Sequence, residues 1–173
     1  ITAGKGIDPK NLSMLAYGGN GPAFAAIQAE DLGIDRVLVP KASPAFSALG
    51  TLVADPSIDE ERSYLAPADS IDVHRLTALW GDLAARAAKY FAAAKFPADQ
   101  VTARYQMNMR YPGQNWALTF DISVSQGLGD LSFVDDSIGQ KAVETFNKRH
   151  MEEYGHIREH EVPEITGVRL ATS

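Results

Sequence analysis

The clearest alternation of apolar and polar residues lies in the second half of the chain. From Val101 to Tyr111 every second residue is apolar, and after Pro112-Gly113 the alternation resumes at Trp116 and continues to Val124. A period of two is typical of a strand with one buried face. The pattern therefore predicts an antiparallel hairpin. Because the type II turn favoured by Pro-Gly matches strand twist poorly, we expect a loop slightly longer than two residues.

Two other segments carry apolar residues at the spacing of an amphipathic helix. The first runs from Ile71 to Ala94 and the second from Ile138 to Tyr154, with Phe146 and Tyr154 expected to face inward. Residues 164–171 are predicted as a closing strand. The long helix, the hairpin, the second helix and this strand together predict an α+β region.

The first third of the chain has a different order of elements. Residues 13–17 are predicted as a buried strand, 22–32 as a helix and 36–39 as a second strand. A strand, helix and strand in that order form a βαβ unit, so the two strands are expected to be parallel. A further helix over 44–53 and a strand over 57–67 follow.

Pro67, Ala68 and Asp69 are the best candidate boundary between these two parts. The sequence thus predicts an α/β domain over 1–66 and an α+β domain over 67–173. The chain starts at Ile1 with a segment that resembles a helix tail and turn. We therefore expect a piece of a longer chain, or a subunit that a partner completes.

Composition excludes several classes of function. The 173 residues carry a formal net charge of −6 with no Lys/Arg-rich run, which argues against a nucleic-acid surface. The chain has no cysteine, so disulfides, thiolate zinc sites and a cysteine nucleophile are excluded. No apolar run is long enough to span a membrane. The segment at Ile1 lacks the features of a secretion signal, and a cytoplasmic location is expected.

A glycine-rich turn, Gly18-Gly19-Asn20-Gly21, links the first strand to the following helix. Glycines there let a ligand approach the backbone, and the first N–H groups of a helix attract negative charge. The dinucleotide fingerprint is incomplete, because Phe24 stands where a small residue is needed, and no GxxxxGK[ST] motif occurs. From the pattern alone, a nucleotide-contacting turn and a purely structural turn both remain open.

The remaining candidates have simpler interpretations. His150, His156 and His160 lie among glutamates, but no HExxH motif is present and Gly155 is expected to end the helix between the first two. A solvated helix end is therefore favoured over a metal site. The polar face of the hairpin, with Arg104, Asn108, Arg110 and Gln114, is expected to face solvent. Ser43 and Ser47 have no nearby base, so no catalytic residue is predicted.

Several short motifs follow one another in a defined order along the chain. The early motifs, in chain order, are Asp8-Pro9-Lys10, Gly18-Gly19-Asn20-Gly21-Pro22, Leu32-Gly33-Ile34, Val37 to Pro40, and Pro44 with Ser47-Ala48-Leu49-Gly50. The later motifs are Arg110-Tyr111-Pro112-Gly113-Gln114, and Phe146, His150, Tyr154 and Gly155. Taken in order, these motifs resemble the C-terminal region of the hydantoinase A/oxoprolinase family, and their order is more specific than any one of them.

The resemblance implies the end of an actin/sugar-kinase-like ATPase subdomain followed by a small C-terminal domain. In such folds a GG turn of this kind contacts the adenosine part of ATP, so Gly18, Gly19, Asn20 and Gly21 become candidate nucleotide-binding residues. The acidic residues that bind phosphate and metal in the family have no counterpart here. The resemblance thus implies ATP with Mg²⁺ or Mn²⁺, bound mostly by larger homologous subunits.

The same resemblance leaves three functions open. The first is a small subunit or C-terminal segment of an ATP-dependent carboxylase that joins bicarbonate to a ketone such as acetophenone. The second is part of an ATP-dependent hydrolase of a cyclic amide, such as a hydantoin, oxoproline or lactam. In the third, the chain is a purely structural subunit.

Overall fold

The computed structural model describes residues 6–173, which form two compact units. One unit extends to Asp55 and the other runs from Pro56 to Ser173. This division lies before the strand at 59–67, whereas the sequence places the boundary at the end of it, at 66/67. The reason is that this strand pairs with the last strand of the chain, a partner that local sequence does not reveal.

The first unit contains a βαβ arrangement followed by a helix. Its elements are β1 (Met14–Leu15), α1 (Gly21–Leu32), β2 (Val37–Leu38) and α2 (Phe46–Val53). β1 and β2 are parallel, which confirms the predicted βαβ order. α1 ends at Gly33, whose φ of 68° is in the left-handed region that favours glycine at a helix C-terminus.

Much of the apolar surface of this unit is exposed. α1 buries two small side chains, Ala25 and Ala29, whereas Phe24 and Ile27 are 58% and 62% exposed. The prediction of a buried first strand is wrong, because β1 is two residues long and Leu15 is exposed. Parallel sheets are normally covered on both faces, and within residues 6–55 the β1–β2 pair has no third strand.

The second unit is a four-stranded antiparallel sheet with two long helices. Its elements are β3 (Asp59–Pro67), α3 (Val73–Ala93), β4 (Thr102–Arg110), β5 (Leu118–Gln126), α4 (Ile138–Tyr154) and β6 (Glu164–Thr172). The strand order is β3-β6-β4-β5. β4 and β5 form the predicted hairpin, and its loop spans residues 111–117, longer than a two-residue turn.

The core of this unit lies on the apolar face of the sheet. Met107, near the middle of β4, is opposite Phe120 on β5 and Val168 on β6. The helices cover this face: Trp80 of α3 is completely buried, and its indole N–H donates to the Arg169 carbonyl at 3.3 Å. The largest fully buried side chains of the unit are Trp80, Tyr64, Tyr105, Tyr111, Phe91 and Phe146.

None of the helices within residues 6–173 has the length and hydropathy that a transmembrane segment needs.

Candidate functional site

The glycine turn lies where β1 ends and α1 begins. Gly18 has a φ of 85°, a conformation that other residues rarely adopt, so this position in the turn favours glycine. α1 starts at Gly21, with proline in its first turn. Asn20 is the N-cap, but its side chain makes no capping hydrogen bond to the helix. The backbone therefore enters the helix without a side chain covering its N-terminus.

The turn is joined to the loop that follows β2. The Gly18 N–H donates to the Ser43 carbonyl at 2.7 Å, and the Ser43 hydroxyl donates to the Gly18 carbonyl at 3.3 Å. Ser43 is buried, and this pair of bonds gives it a structural role that the sequence did not indicate. The two loops thus meet at the carboxyl edge of the parallel strands, where open α/β sheets bind their ligands.

The glycines of the turn do not all serve the same purpose. Only Gly18 has a positive φ. A Cβ atom added at Gly19 or Gly21 would meet no atom within 4 Å, so nothing among residues 6–173 crowds these two positions. A groove of about 250 Å³ lies beside the turn, with Tyr17 and Gly21 among its lining residues. The turn offers backbone groups and open space, which suits binding rather than bond-breaking chemistry.

His150 differs from its predicted environment. It is completely buried, so the solvated helix end is wrong for this residue. Its Nδ1 atom lies 2.7 Å from the His156 carbonyl oxygen, an acceptor, so Nδ1 carries the proton. Its Nε2 atom lies 3.0 Å from the side-chain nitrogen of Gln114 and accepts a hydrogen bond from that amide. Gly155 ends α4 between the histidines, as predicted.

Tyr111 extends this network. Its backbone N–H donates to Gln114 Oε1 at 2.9 Å, and its hydroxyl donates to Asn147 Oδ1 at 2.8 Å. The same hydroxyl accepts from the Arg158 N–H at 3.0 Å, and the Arg158 guanidinium lies 5.4 Å from the Tyr111 ring centre. The hairpin loop is thereby fixed to α4 and to the segment after it. The motif at 110–114 and the motif at 146–155, which lie far apart in the chain, therefore meet here.

No metal centre forms from these residues. His156 and His160 are both exposed. Within residues 6–173 no group of three or more His, Cys, Asp or Glu side chains is placed to hold a metal ion. The network therefore has a structural character: it orients side chains and satisfies buried polar atoms.

The polar face of the hairpin is only partly solvated. Arg104 is exposed and pairs with Asp121 at 2.9 Å, and Arg110 pairs with Glu164 at 2.7 Å. Asn108, however, is buried, which contradicts its predicted exposure. Its side-chain amide donates to Glu61 Oε1 at 2.7 Å. This partner lies on β3, which the sequence assigned to the other domain.

Comparison with known families matches both parts of the chain. The family described as hydantoinase/oxoprolinase matches residues 1–60, and the hydantoinase/oxoprolinase C-terminal domain matches residues 68–165. The acetone carboxylase beta subunit of Xanthobacter autotrophicus is 32% identical over 122 residues, which cover 66% of this chain and 17% of that protein. The motif order had indicated this family, and these matches confirm it.

Two solved structures share the fold. A nucleotide-free structure of acetone carboxylase matches with a TM-score of 0.71 and 25% identity. An ATP-dependent caprolactamase from Pseudomonas jessenii matches with a TM-score of 0.64 and 20% identity, a level that shows the fold alone. Each match covers 98% of this chain but 24% of the other. The chain thus spans about a quarter of the length of these relatives.

Proposed function

We propose that this chain, which belongs to the hydantoinase/oxoprolinase family, is a small subunit or C-terminal segment of an ATP-dependent carboxylase acting on a ketone. The observation that carries the proposal is the 32% identity to an acetone carboxylase beta subunit. The acetone carboxylase structure agrees with it, because it matches over 98% of this chain. Acetone and acetophenone are the candidate ketones.

The exposed apolar surface of the first unit supports the idea that a larger polypeptide completes it. A two-stranded sheet is at best marginally stable in water. A helix that is apolar on all sides is normally buried within a larger protein. The first two turns of α1 are of this kind: residues 21–27 carry no polar side chain, with Ala25 buried and Phe24 and Ile27 exposed. We infer that the larger polypeptide adds strands and helices around it to form an actin/sugar-kinase-like ATPase subdomain.

In this assembly Gly18, Gly19, Asn20 and Gly21 contact the adenosine part of ATP. The space over Gly19 and Gly21 and their position at the carboxyl edge of β1–β2 support this role. The larger polypeptide supplies the residues that bind the phosphates and Mg²⁺ or Mn²⁺. Because phosphoryl transfer depends on positioning and electrostatic stabilisation, the turn contributes by orienting the nucleotide.

One alternative has a specific observation in its favour. The match to the hydantoinase/oxoprolinase family supports a role in an ATP-dependent hydrolase of a cyclic amide, such as a lactam, hydantoin or oxoproline, and the caprolactamase shares the fold. The carboxylase proposal takes precedence, because the carboxylase structure has both the higher TM-score and the higher identity. A purely structural subunit would leave the glycine turn without a ligand.

Activity of the complete enzyme, assembled from this chain and the larger polypeptide, tests the proposal. Incorporation of labelled bicarbonate into acetone or acetophenone would be measured with and without ATP, next to the hydrolysis of caprolactam, hydantoin and 5-oxoproline. We expect ATP-dependent carboxylation of a ketone and no amide hydrolysis. ATP-dependent ring opening without carboxylation would replace the proposal with the hydrolase alternative.

A further inference from the structure

The two tryptophans of the chain have opposite environments. Trp80 is completely buried, and its indole N–H is hydrogen-bonded to the Arg169 carbonyl. Trp116, in the hairpin loop, is 81% exposed. Tryptophan is highly buried on average, and an exposed one is among the residues most enriched at the centres of protein interfaces. The loop position of Trp116 therefore requires a separate explanation.

The loop that carries Trp116 is fixed at its base rather than loosely tethered. Gln114, two positions earlier, bonds the Tyr111 backbone N–H through Oε1 and the buried His150 ring through its amide nitrogen. Tyr111 is in turn held by Asn147 and by the Arg158 backbone. A side chain on a fixed loop loses less conformational entropy when it binds than one on a mobile loop. The buried network thus fixes the base of the loop that carries Trp116 before any partner binds.

More apolar surface is exposed at the end of α4, the helix whose buried His150 contacts the base of this loop. Met151 and Tyr154, in the last turn of α4, are both exposed. The Tyr154 ring centre lies 4.7 Å from that of His150, the residue that contacts Gln114. The end of α4 therefore lies next to the base of the loop. Neither the Trp116 ring nor the Tyr154 ring is buried in the core, although the sequence pattern predicts that both face inward.

We propose that Trp116 is an anchor that docks into an apolar pocket of the larger polypeptide of the same enzyme, and that Met151 and Tyr154 at the end of α4 belong to the same docking surface. This inference rests on the proposed function. The occupant follows from chain length: the acetone carboxylase chain is about four times as long as its matching part, so most of that enzyme lies outside the segment described here. The anchor belongs to the second unit, so it is distinct from the incomplete β1–β2 sheet.

The test uses the complex of this chain with the larger polypeptide. Only this chain is labelled, with 5-fluorotryptophan, so its ¹⁹F spectrum shows Trp80 and Trp116, and Trp116→Phe assigns the second signal. The change in ¹⁹F shift between H₂O and D₂O reports access of solvent to each ring. We expect the Trp116 shift change to be lost on complex formation, and Trp80 to show none in either state.

Affinity provides the second readout. Trp116→Ala should weaken association by at least about tenfold, as expected for an interface anchor, while Trp116→Phe restores most of it. Leu65→Ala is the matched control, because Leu65 is 67% exposed on β3 of the same unit and takes no part in the anchor. Circular dichroism of each variant checks that the fold is retained.

The outcomes separate this inference from the proposed function. A Trp116 signal that stays solvent-sensitive in the complex, with unchanged affinity of the Trp116→Ala variant, overturns the anchor and leaves the proposed function standing. Equal loss of affinity in the Leu65→Ala variant also overturns it. If the chain does not associate with the larger polypeptide, the anchor is overturned, and the carboxylation assay of the complete enzyme decides the proposed function.

Discussion

The Nε2 atom of the buried His150 ring lies 3.0 Å from the side-chain nitrogen of Gln114. This contact joins two residues 36 positions apart and links the hairpin loop to α4. Because His150 donates through Nδ1 to the His156 carbonyl, its Nε2 atom accepts from the Gln114 amide. The orientation of that amide then places Oε1 where it accepts from the Tyr111 N–H.

The first prediction concerns this pair. Gln114→Ala leaves the Tyr111 N–H and His150 Nε2 without their partner, and we expect a loss of about 1–3 kcal/mol in the free energy of unfolding. Because both residues belong to one network, Gln114→Ala combined with His150→Ala should cost less than the sum of the single variants. Urea unfolding of the four proteins measures the coupling.

The exposed His160 supplies the control for these variants. His160→Ala should change the free energy of unfolding by no more than about 0.5 kcal/mol, as is usual for surface positions. Strict additivity of the Gln114 and His150 effects would show that the contact does not couple the two residues.

The second prediction compares two helical glycines. A Cβ atom at Gly139 would lie 2.5 Å from the Ala68 carbonyl oxygen, a backbone atom that cannot easily move. Gly139→Ala should therefore lower the free energy of unfolding by about 1–3 kcal/mol. At Gly81 a Cβ atom would meet only Leu131, at 3.9 Å. Gly81→Ala should raise stability by about 0.5–1 kcal/mol, because alanine favours a helix. Thermal unfolding that ranks the two variants in the opposite order would contradict the close approach of α4 to Ala68.

The third prediction concerns pH. Asp59 and Arg169 form an ion pair across β3 and β6, and the hydrogen bond from Arg169 holds the pKa of the Asp59 carboxyl below its ordinary value of 3.8. A lowered pKa in the folded state stabilises the protein above pH 3.8 and loses this effect as the pH falls through the folded-state pKa. Asp59→Asn should thus cost up to about 1 kcal/mol at pH 7, a limit set by the exposure of the pair.

Denaturant unfolding at several pH values measures this effect. The difference between Asp59→Asn and the parent protein should shrink as the pH falls below about 4. Glu152→Gln removes the charge of another exposed ion pair, within α4. This variant is the control for the loss of a surface carboxylate in general. A difference for Asp59→Asn that stays constant with pH would show that the ion pair contributes nothing.

Local periodicity predicts most of the second unit. The bounds of α4 and the hairpin of β4 and β5 follow from spacing alone. The partner of β3 does not, because β3 pairs with β6, which lies about a hundred residues later in the chain. Trp116 was expected inside because the alternation continues through it, but the loop interrupts the strand and leaves the ring exposed.

The site shows the same limit. The sequence identified the turn from Gly18 to Gly21 as a candidate, and the motif order gave the family. It could not indicate that Ser43 joins this turn to the loop after β2, because that contact depends on the pairing of β1 and β2. His150 was expected in solvent because a lone polar residue near a helix end gives no sign of its distant partner Gln114.

The main proposal is that the glycine turn contacts ATP within an assembly that a larger polypeptide completes. Its most direct test is the affinity of the complete enzyme for ATP, measured by isothermal titration calorimetry. Gly19→Val places a branched side chain in the open space over the turn, whereas Gly50→Ala changes α2 of the same unit at an equally uncrowded position. We expect ATP binding to be weaker by at least about tenfold, or 1.4 kcal/mol, for Gly19→Val and unchanged for Gly50→Ala. Equal ATP affinity of the Gly19→Val enzyme and the parent enzyme would contradict this proposal.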